Sequence, residues 1–400
     1  MKPEKLLLDL FQAYYDARKN KRSTVNALSF EMNYEAKLFE LYEEIKSGKY
    51  KISPSICFIS FRPVQREIFA ADFRDRIVHH LIYNYISPIF ERLFIVDSYS
   101  CRPGKGTSYG IKRLRYFIRS CSRNYTRNCY VLKLDISGYF MSISHSILYR
   151  EIESAIGHKR GKTDFDADLV LRLIRQIVFH DHTAKCRLKG KAGDWTGLPR
   201  SKSLFYSGKN KGLPIGNLTS QLFGNVYLSR FDHFVKYSLG FRYYGRYVDD
   251  IVVVHQDREL LKSTISILKE YLHSHLFLEL HPKKIRLRHF SLGVPFLGAV
   301  IKPYRIYSGN QIKGGFYKRI RYWNNFLAKK GRLNTRDLDC FLAATNSYLG
   351  MLKQFNTYNL RKKILAGLSK DFEKYVFIEP DCGKLVSRNQ NLISGESYNL

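Results

Sequence analysis

The chain runs to 400 residues, in which 67 Lys plus Arg stand against 35 Asp plus Glu, a formal charge of +32 spread along the sequence and not gathered in a tail. Such a field attracts polyanions and argues for salt-dependent phosphate contacts. A membrane protein, a secreted chain and a disulfide or zinc-finger scaffold are set aside: no apolar run approaches the roughly twenty residues of a bilayer span. Asp9 interrupts Leu6-Leu7-Leu8 with no small-residue cleavage site after it, and the seven cysteines contain no Cys-x-x-Cys. A cytoplasmic location is expected.

Apolar residues at helical spacing predict helices over Lys5–Lys19 and Tyr34–Ser47, within an N-terminal helical extension of residues 1 to about 55. With 44% hydrophobic and 14% aromatic residues the rest can bury a large core. Two basic stretches follow, Arg62-Pro63-Val64-Gln65-Arg66-Glu67-Ile68 and Phe73-Arg74-Asp75-Arg76-Ile77-Val78. Solvated arginines or an ion pair to Asp75 would account for Arg74 and Arg76 equally simply. Ser98-Tyr99-Ser100-Cys101-Arg102-Pro103-Gly104-Lys105-Gly106-Thr107 looks like a phosphate loop, but the Walker spacing fails, so an ATPase is a poor reading. Tyr130-Val131-Leu132-Lys133-Leu134-Asp135-Ile136 reads as a strand carrying an acid at its end.

His180-Asp181-His182 opens a Gly- and Lys-rich stretch, residues 180 to 212, and its histidines read as solvated, not as metal ligands. Trp195, Leu204, Phe205 and Tyr206 argue that part of this insertion packs, and contact with RNA or an accessory chain is one use for it. A helix expected over Ser220–Leu239 repeats Leu222, Phe223, Val226, Tyr227 and Phe234 on one side. Tyr247-Val248-Asp249-Asp250 then stands between two strand-like arms, Phe241–Arg246 and Ile251–Val254, as a hairpin turn lifting two adjacent carboxylates. The helix after Asp257 is striped by Leu260, Leu261, Ile265, Leu268 and Leu272. Residues 313 to about 376 read as helices in which Lys and Arg alternate with aromatics such as Tyr322, Trp323 and Tyr348, a mixture suited to phosphates, sugars and bases. The last twenty or so residues, Asn389 to Leu400 especially, are polar and expected to be loose.

An Asp-Asp pair by itself is most simply a polar turn. Paired strands would bring Asp135 up to Asp249, and aspartates so placed bridge two Mg²⁺, the arrangement phosphoryl transfer from a nucleoside triphosphate needs. The agreement of several motifs in a fixed order gives that reading its weight.

That order resembles the reverse transcriptases. Leu134-Asp135-Ile136-Ser137-Gly138-Tyr139-Phe140 is similar to the family's first metal-binding motif. The resemblance implies Asp135, Asp249 and Asp250 as catalytic acids, Asp135, Asp249 and the Ile136 carbonyl as ligands of two Mg²⁺ for which Mn²⁺ may substitute, and Phe140 beneath the incoming sugar, against a ribose 2′ hydroxyl. Gly212-Leu213-Pro214-Ile215-Gly216-Asn217-Leu218-Thr219-Ser220-Gln221 looks like the signature of enzymes from diversity-generating retroelements, with Ile215 and Gln221 where most relatives carry Gln and Pro. An apolar Ile215 beside the templating pair, with Gly216 and Gln221, implies tolerance of mismatches.

The two basic stretches resemble the family's fingers, with Arg66, and Arg62 beside it, gripping the triphosphate through a planar fork that donates two hydrogen bonds. Leu278-Glu279-Leu280-His281-Pro282-Lys283-Lys284 resembles the next block, with Lys284 meeting triphosphate or primer; Gly293-Val294-Pro295-Phe296-Leu297-Gly298 resembles the primer grip. Arg102, Gly104, Lys105, Tyr247, Phe296, Leu297 and Gly298 are thereby assigned to primer and template.

The implied fold is α+β, a right hand with fingers and palm over residues 56–305, the palm an antiparallel sheet backed by helices, a helical thumb over 306–376 and a tail over 377–400. The span after the thumb is too short for an RNase H domain or a zinc-bearing endonuclease, so strand removal and integration are expected of other proteins. The implied partners are a template RNA, a DNA or RNA primer, dNTPs, a cognate structured RNA and an accessory protein. The leading expectation is low-fidelity RNA-directed DNA synthesis in a diversity-generating retroelement. A related antiphage-defence enzyme is the alternative, and a noncatalytic maturase-like RNA binder a third that the intact acids weigh against.

Overall fold

The computed structural model describes residues 3–19, 24–61, 64–159 and 161–388; Arg62 and the polar 389–400 segment, both singled out above, lie outside the described residues. The chain divides into two compact units, Met1–Gly106 with Leu132–Leu287, and Thr107–Val131 with Arg288–Leu400.

The first unit opens with helices α1 (Pro3–Arg18), α2 (Val25–Glu31) and α3 (Tyr34–Lys46). Leu6, Leu10, Ala13 and Tyr14 of α1, and Leu38, Leu41 and Ile45 of α3, are buried at the three- and four-residue spacing that puts them on one face. Strands β1 (Ile56–Ser60) and β2 (Arg66–Ala70) form an antiparallel hairpin in which Phe58 opposes Ile68. Asp72 then caps α4 (Phe73–Leu93) by accepting from the Arg74 amide, and α4 packs along α1.

Helix α5 (Thr107–Cys121) belongs to the second unit. Strand β3 (Tyr130–Asp135) returns to the first unit, followed by the short α6 (Tyr139–Ser142), α7 (His145–Gly157) and α8 (Ala167–Phe179). Within the 180–212 insertion, β4 (Arg187–Leu188) adds to the hairpin, parallel to β1, giving a sheet ordered β2-β1-β4. His182, expected to be solvated, is buried, its Nδ1 3.1 Å from the Ser55 hydroxyl. The segment leading into β4 is clamped against the sheet, and its ring goes inside with it.

The helix expected over Ser220–Leu239 is broken: α9 (Leu218–Tyr227) ends where Leu228 adopts φ −94°, ψ 1°, and α10 (Ser229–His233) continues into a π-helical turn at Phe234–Ser238. After it come β5 (Tyr243–Tyr247), β6 (Asp250–His255), α11 (Arg258–Leu276) and β7 (Arg286–His289). The central sheet is ordered β5-β6-β3-β7. Asp257 caps α11, whose buried stripe is Leu261, Thr264, Leu268, Leu272 and Leu276; Leu260 is 42% exposed, because a one-residue step turns a helix about 100° away from the stripe.

In the second unit β8 (Val294–Phe296), β9 (Ala299–Lys302) and β10 (Arg305–Ser308) form an antiparallel meander. Helices α12 (Asn310–Lys330), α13 (Thr335–Lys353) and α14 (Tyr358–Leu365) then enclose a core that includes Phe316, Trp323, Phe341 and Phe372. Residues 376–387, most of them assigned to a loose tail, instead form a hairpin of β11 (Val376–Ile378) and β12 (Leu385–Ser387). The Asn346 amide both donates to and accepts from the Leu385 backbone, at 2.9 and 2.7 Å. The architecture is α+β, and no described helix is long and apolar enough to cross a membrane.

Candidate active site

Tyr247 of β5 pairs with Asp250 of β6, so Val248 and Asp249 form a two-residue turn, and Val248 sits at φ +54°. A β-branched residue resists that conformation and needs external support. Arg246 supplies it. Its fully buried guanidinium donates 2.9 Å to the Val248 carbonyl and grips Asp232 through Nε at 2.7 Å and Nη2 at 2.6 Å. Burial disfavours that charge, but Asp232 outweighs it and raises the Arg246 pKa.

On the neighbouring strand β3 ends at Asp135, which is buried and accepts from Lys284 Nζ at 2.7 Å. Two backbone bonds flank Ile136, Ser137 N to Glu279 O and His281 N to Asp135 O, both 2.8 Å, and neither uses the Ile136 carbonyl. Asp250 pairs with Lys133 Nζ at 2.9 Å. Asp249 is pushed up to about 6, first by burial and then by the Asp135 and Asp250 carboxylates, with Lys284 opposing.

Among the described residues no three acids, histidines or cysteines close into a ready-made metal cage; two lysines lie on the flanking carboxylates instead. The donors are hard oxygens, and a cation would relieve the repulsion that holds Asp249 high.

In the same unit, Phe140, Ile215, Cys186 and Trp195 pack on a buried cluster of Cys57, Phe69, Met141 and Leu204. Gly216 has φ +133°, and a Cβ there would come within 2.9 Å of the Phe69 carbonyl, so the Ile215-Gly216 backbone lies directly on β2. Ile215 O accepts from Phe69 N at 2.8 Å. Gln221 is exposed on the first turn of α9, Arg66 is exposed on β2, and Tyr247 is half-buried.

Residues 60–301 match the reverse transcriptase (RNA-dependent DNA polymerase) family. The chain belongs to that family. Protein YkfC of Escherichia coli (strain K12) is 24% identical over 213 residues, which are 53% of this chain and 48% of YkfC. The chain therefore spans about half the length of that curated relative. Among solved structures, telomerase from Candida albicans in complex with a TWJ fragment of telomeric RNA aligns with TM-score 0.44 at 11% identity, over 86% of this chain and 69% of that one. Apo telomerase from Candida tropicalis truncated from its C-terminal domain aligns with TM-score 0.45 at 14% identity, over 66% and 58%.

Within the reverse transcriptase domain the remaining assigned residues fall in different settings. Arg102 faces inward: its guanidinium pairs with Glu91 and donates to the Ile95 and Ser98 carbonyls, at 2.7 and 2.9 Å, which commits its fork to holding this loop. Lys105 Nζ donates to the Val96 carbonyl, and Gly104 adopts φ +69°. In the second unit Phe296 is buried, while Leu297 and Gly298, at φ +48° and +81°, form the turn between β8 and β9.

Three contributors escaped the sequence reading. Lys133 was passed over as a strand residue, and Arg246 with Asp232 as a strand arm and a helix position. The available signal was the charge itself: Lys133 and Arg246 interrupt otherwise apolar or aromatic strands, where a charge needs a partner. Glu67, also 1% exposed, had no such signal in a basic, polar stretch.

Proposed function

We propose that this chain is an RNA-directed DNA polymerase acting in the cytoplasm, making cDNA on a template RNA by nucleotidyl transfer. The observation that carries the proposal is the placement of the acids: Asp249 and Asp250 stand at the β5–β6 turn, on the strand next to β3, which ends at Asp135, and both neighbouring carboxylates push the Asp249 pKa up.

In the reaction the primer 3′ oxygen forms a bond to the α-phosphorus of a dNTP as the bond to pyrophosphate breaks. Asp135, Asp249 and the Ile136 carbonyl would hold the divalent ions, two Mg²⁺ with Mn²⁺ able to substitute, which supply charge to activate the 3′ hydroxyl and stabilise pyrophosphate. Asp250 is the third proposed catalytic acid. Lys284, now on Asp135, is placed to donate to phosphate oxygens, and Arg66, exposed on β2, offers a planar fork to the triphosphate. Phe140 fills the space a 2′ hydroxyl would need. Arg62 is proposed to meet the triphosphate, and Lys105, Gly104 and Tyr247 the template and primer; in the second unit, taken by itself, the Leu297-Gly298 turn is a proposed primer contact.

The finer reading is error-prone copying in a diversity-generating retroelement, with a cognate structured RNA and an accessory protein. It rests on the Gly212–Gln221 block, where Ile215 offers no amide to a mismatched pair. Primer extension on RNA with dNTPs and Mg²⁺ tests the chemistry: wild type extends and Asp249→Ala does not, whereas extension surviving Asp249→Ala refutes the site. A near-duplicate repeat pair differing at adenines in the flanking DNA supports diversity generation; toxin or nuclease genes without such repeats would place the same chemistry in defence.

A further inference from the structure

We infer that the 180–212 insertion is the back wall of the nucleotide pocket, and that Glu67 is the positioning residue that sets its stance. The inference rests on the polymerase reading above and extends it to nucleotide selection.

The insertion and the pocket share one apolar cluster. Cys186, Trp195 and Leu204 from the insertion pack with Cys57 of β1, Phe69 of β2, Phe140 and Met141 of α6, and Ile215. The two side chains assigned to sugar and base selection are therefore supported from behind by the insertion. The backbone repeats the association: Gly212 N donates to Ile143 O, just after α6, at 2.8 Å, and a Cβ on Gly138, at φ +54°, would stand 2.8 Å from the Ser201 carbonyl.

Glu67 ties the wall to β2. One carboxylate oxygen accepts from Trp195 Nε1 and Ser203 Oγ, both at 2.8 Å, and the other from the Leu204 amide at 2.6 Å. Just before that strand, Gln65 donates to the Asp194 and Thr196 carbonyls at 2.8 and 3.2 Å, clasping Trp195 from both flanks. Strand alternation turns Arg66 to solvent and Glu67 inward, so one short segment carries both the proposed triphosphate contact and the wall's anchor. Glu67 touches neither of the two selecting side chains through these bonds; it acts through Trp195 and Leu204, and loosening them leaves Phe140 and Ile215 with a softer support.

Single-nucleotide incorporation on RNA, measured for the matched dNTP, a mismatched dNTP and the matched ribonucleotide, tests this in wild type, Glu67→Gln and Trp195→Phe. Glu67→Gln replaces one of the two accepting oxygens by a donor, and Trp195→Phe keeps a ring while deleting one N–H. The expected result for Glu67→Gln is a dNTP KM raised roughly fivefold and discrimination against the ribonucleotide or the mismatch shifted by a similar factor, with kcat within about twofold. Trp195→Phe should move the same quantities in the same direction by about twofold. Both variants leaving KM and both discrimination ratios unchanged, or lowering kcat alone, overturns the inference. Should Glu67→Gln not fold, Trp195→Phe decides. A wild-type protein that incorporates nothing overturns the polymerase reading too, whereas an active wild type with unaltered variants overturns only the wall.

Discussion

Phe140 and Ile215 occupy a shared cluster, but their proposed tasks differ, and each has its own test. Phe140→Ala opens the space against the sugar and should raise ribonucleotide incorporation by at least about tenfold in competition with dNTPs, the scale at which a lost steric block shows in kcat/KM. Unchanged sugar choice refutes that role. Ile215→Gln restores an amide beside the templating pair and should lower misincorporation by roughly fivefold, the worth of one added polar contact; an unaltered error rate refutes it. That Asp135 ends a strand and that Asp249 and Asp250 stand at a hairpin turn was legible in the sequence, because the strand–turn–strand pattern fixes which residues stand at strand ends. Lys133 and Lys284 show what such reading leaves out: which cation rests on which carboxylate depends on strand pairing across more than a hundred residues. Arg102 makes the converse point: the resemblance of its block implies a place against template and primer, whereas its fork is turned on Glu91.

The turn that raises Asp249 depends on Arg246, and Arg246 on Asp232, a wholly buried ion pair. Removing one partner strands the other charge, so Asp232→Asn should cost about 3–5 kcal/mol in denaturant unfolding; a loss under about 1 kcal/mol would mean the turn holds itself. A pH test belongs to the elements around β1 and α4. His79 and His182 are pushed from an ordinary 6.5 down to about 3, chiefly by burial. Between those values the unfolded chain binds more protons than the folded one. Stability should therefore be complete above pH 6.5 and fall as pH drops towards 3, by up to about 1.4 kcal/mol per pH unit for each ring. A melting temperature flat from pH 7 to about 4.5 would contradict this. Hydrophobic spacing located α1, α3, α11 and the β5–β6 hairpin, because local periodicity determines them. It missed the break at Leu228 and the addition of β4 to the β1–β2 hairpin, because both are set by distant partners and not by local pattern.

Across the whole molecule the governing quantity is charge. At +32, spread along both units, binding to RNA should be dominated by phosphate contacts and released counterions. Affinity for a single-stranded template should fall by on the order of 10³ between about 50 and 200 mM salt, read by anisotropy; a nearly flat dependence would show that the excess charge has another use. Composition made this property plain, whereas the division into two units did not follow from it, since α5 lies between two segments of the first unit in sequence yet clusters with the second. Everything else in the account is subordinate to the acids at the end of the central sheet. The most direct test is a Mg²⁺ titration of single-nucleotide incorporation on an RNA template by wild type, Asp135→Asn and Asp249→Asn, with RNA binding measured in parallel. The account predicts Mg²⁺-dependent incorporation by wild type, a loss of about 10³-fold or more in both variants and binding within about twofold; incorporation persisting in either variant would contradict it.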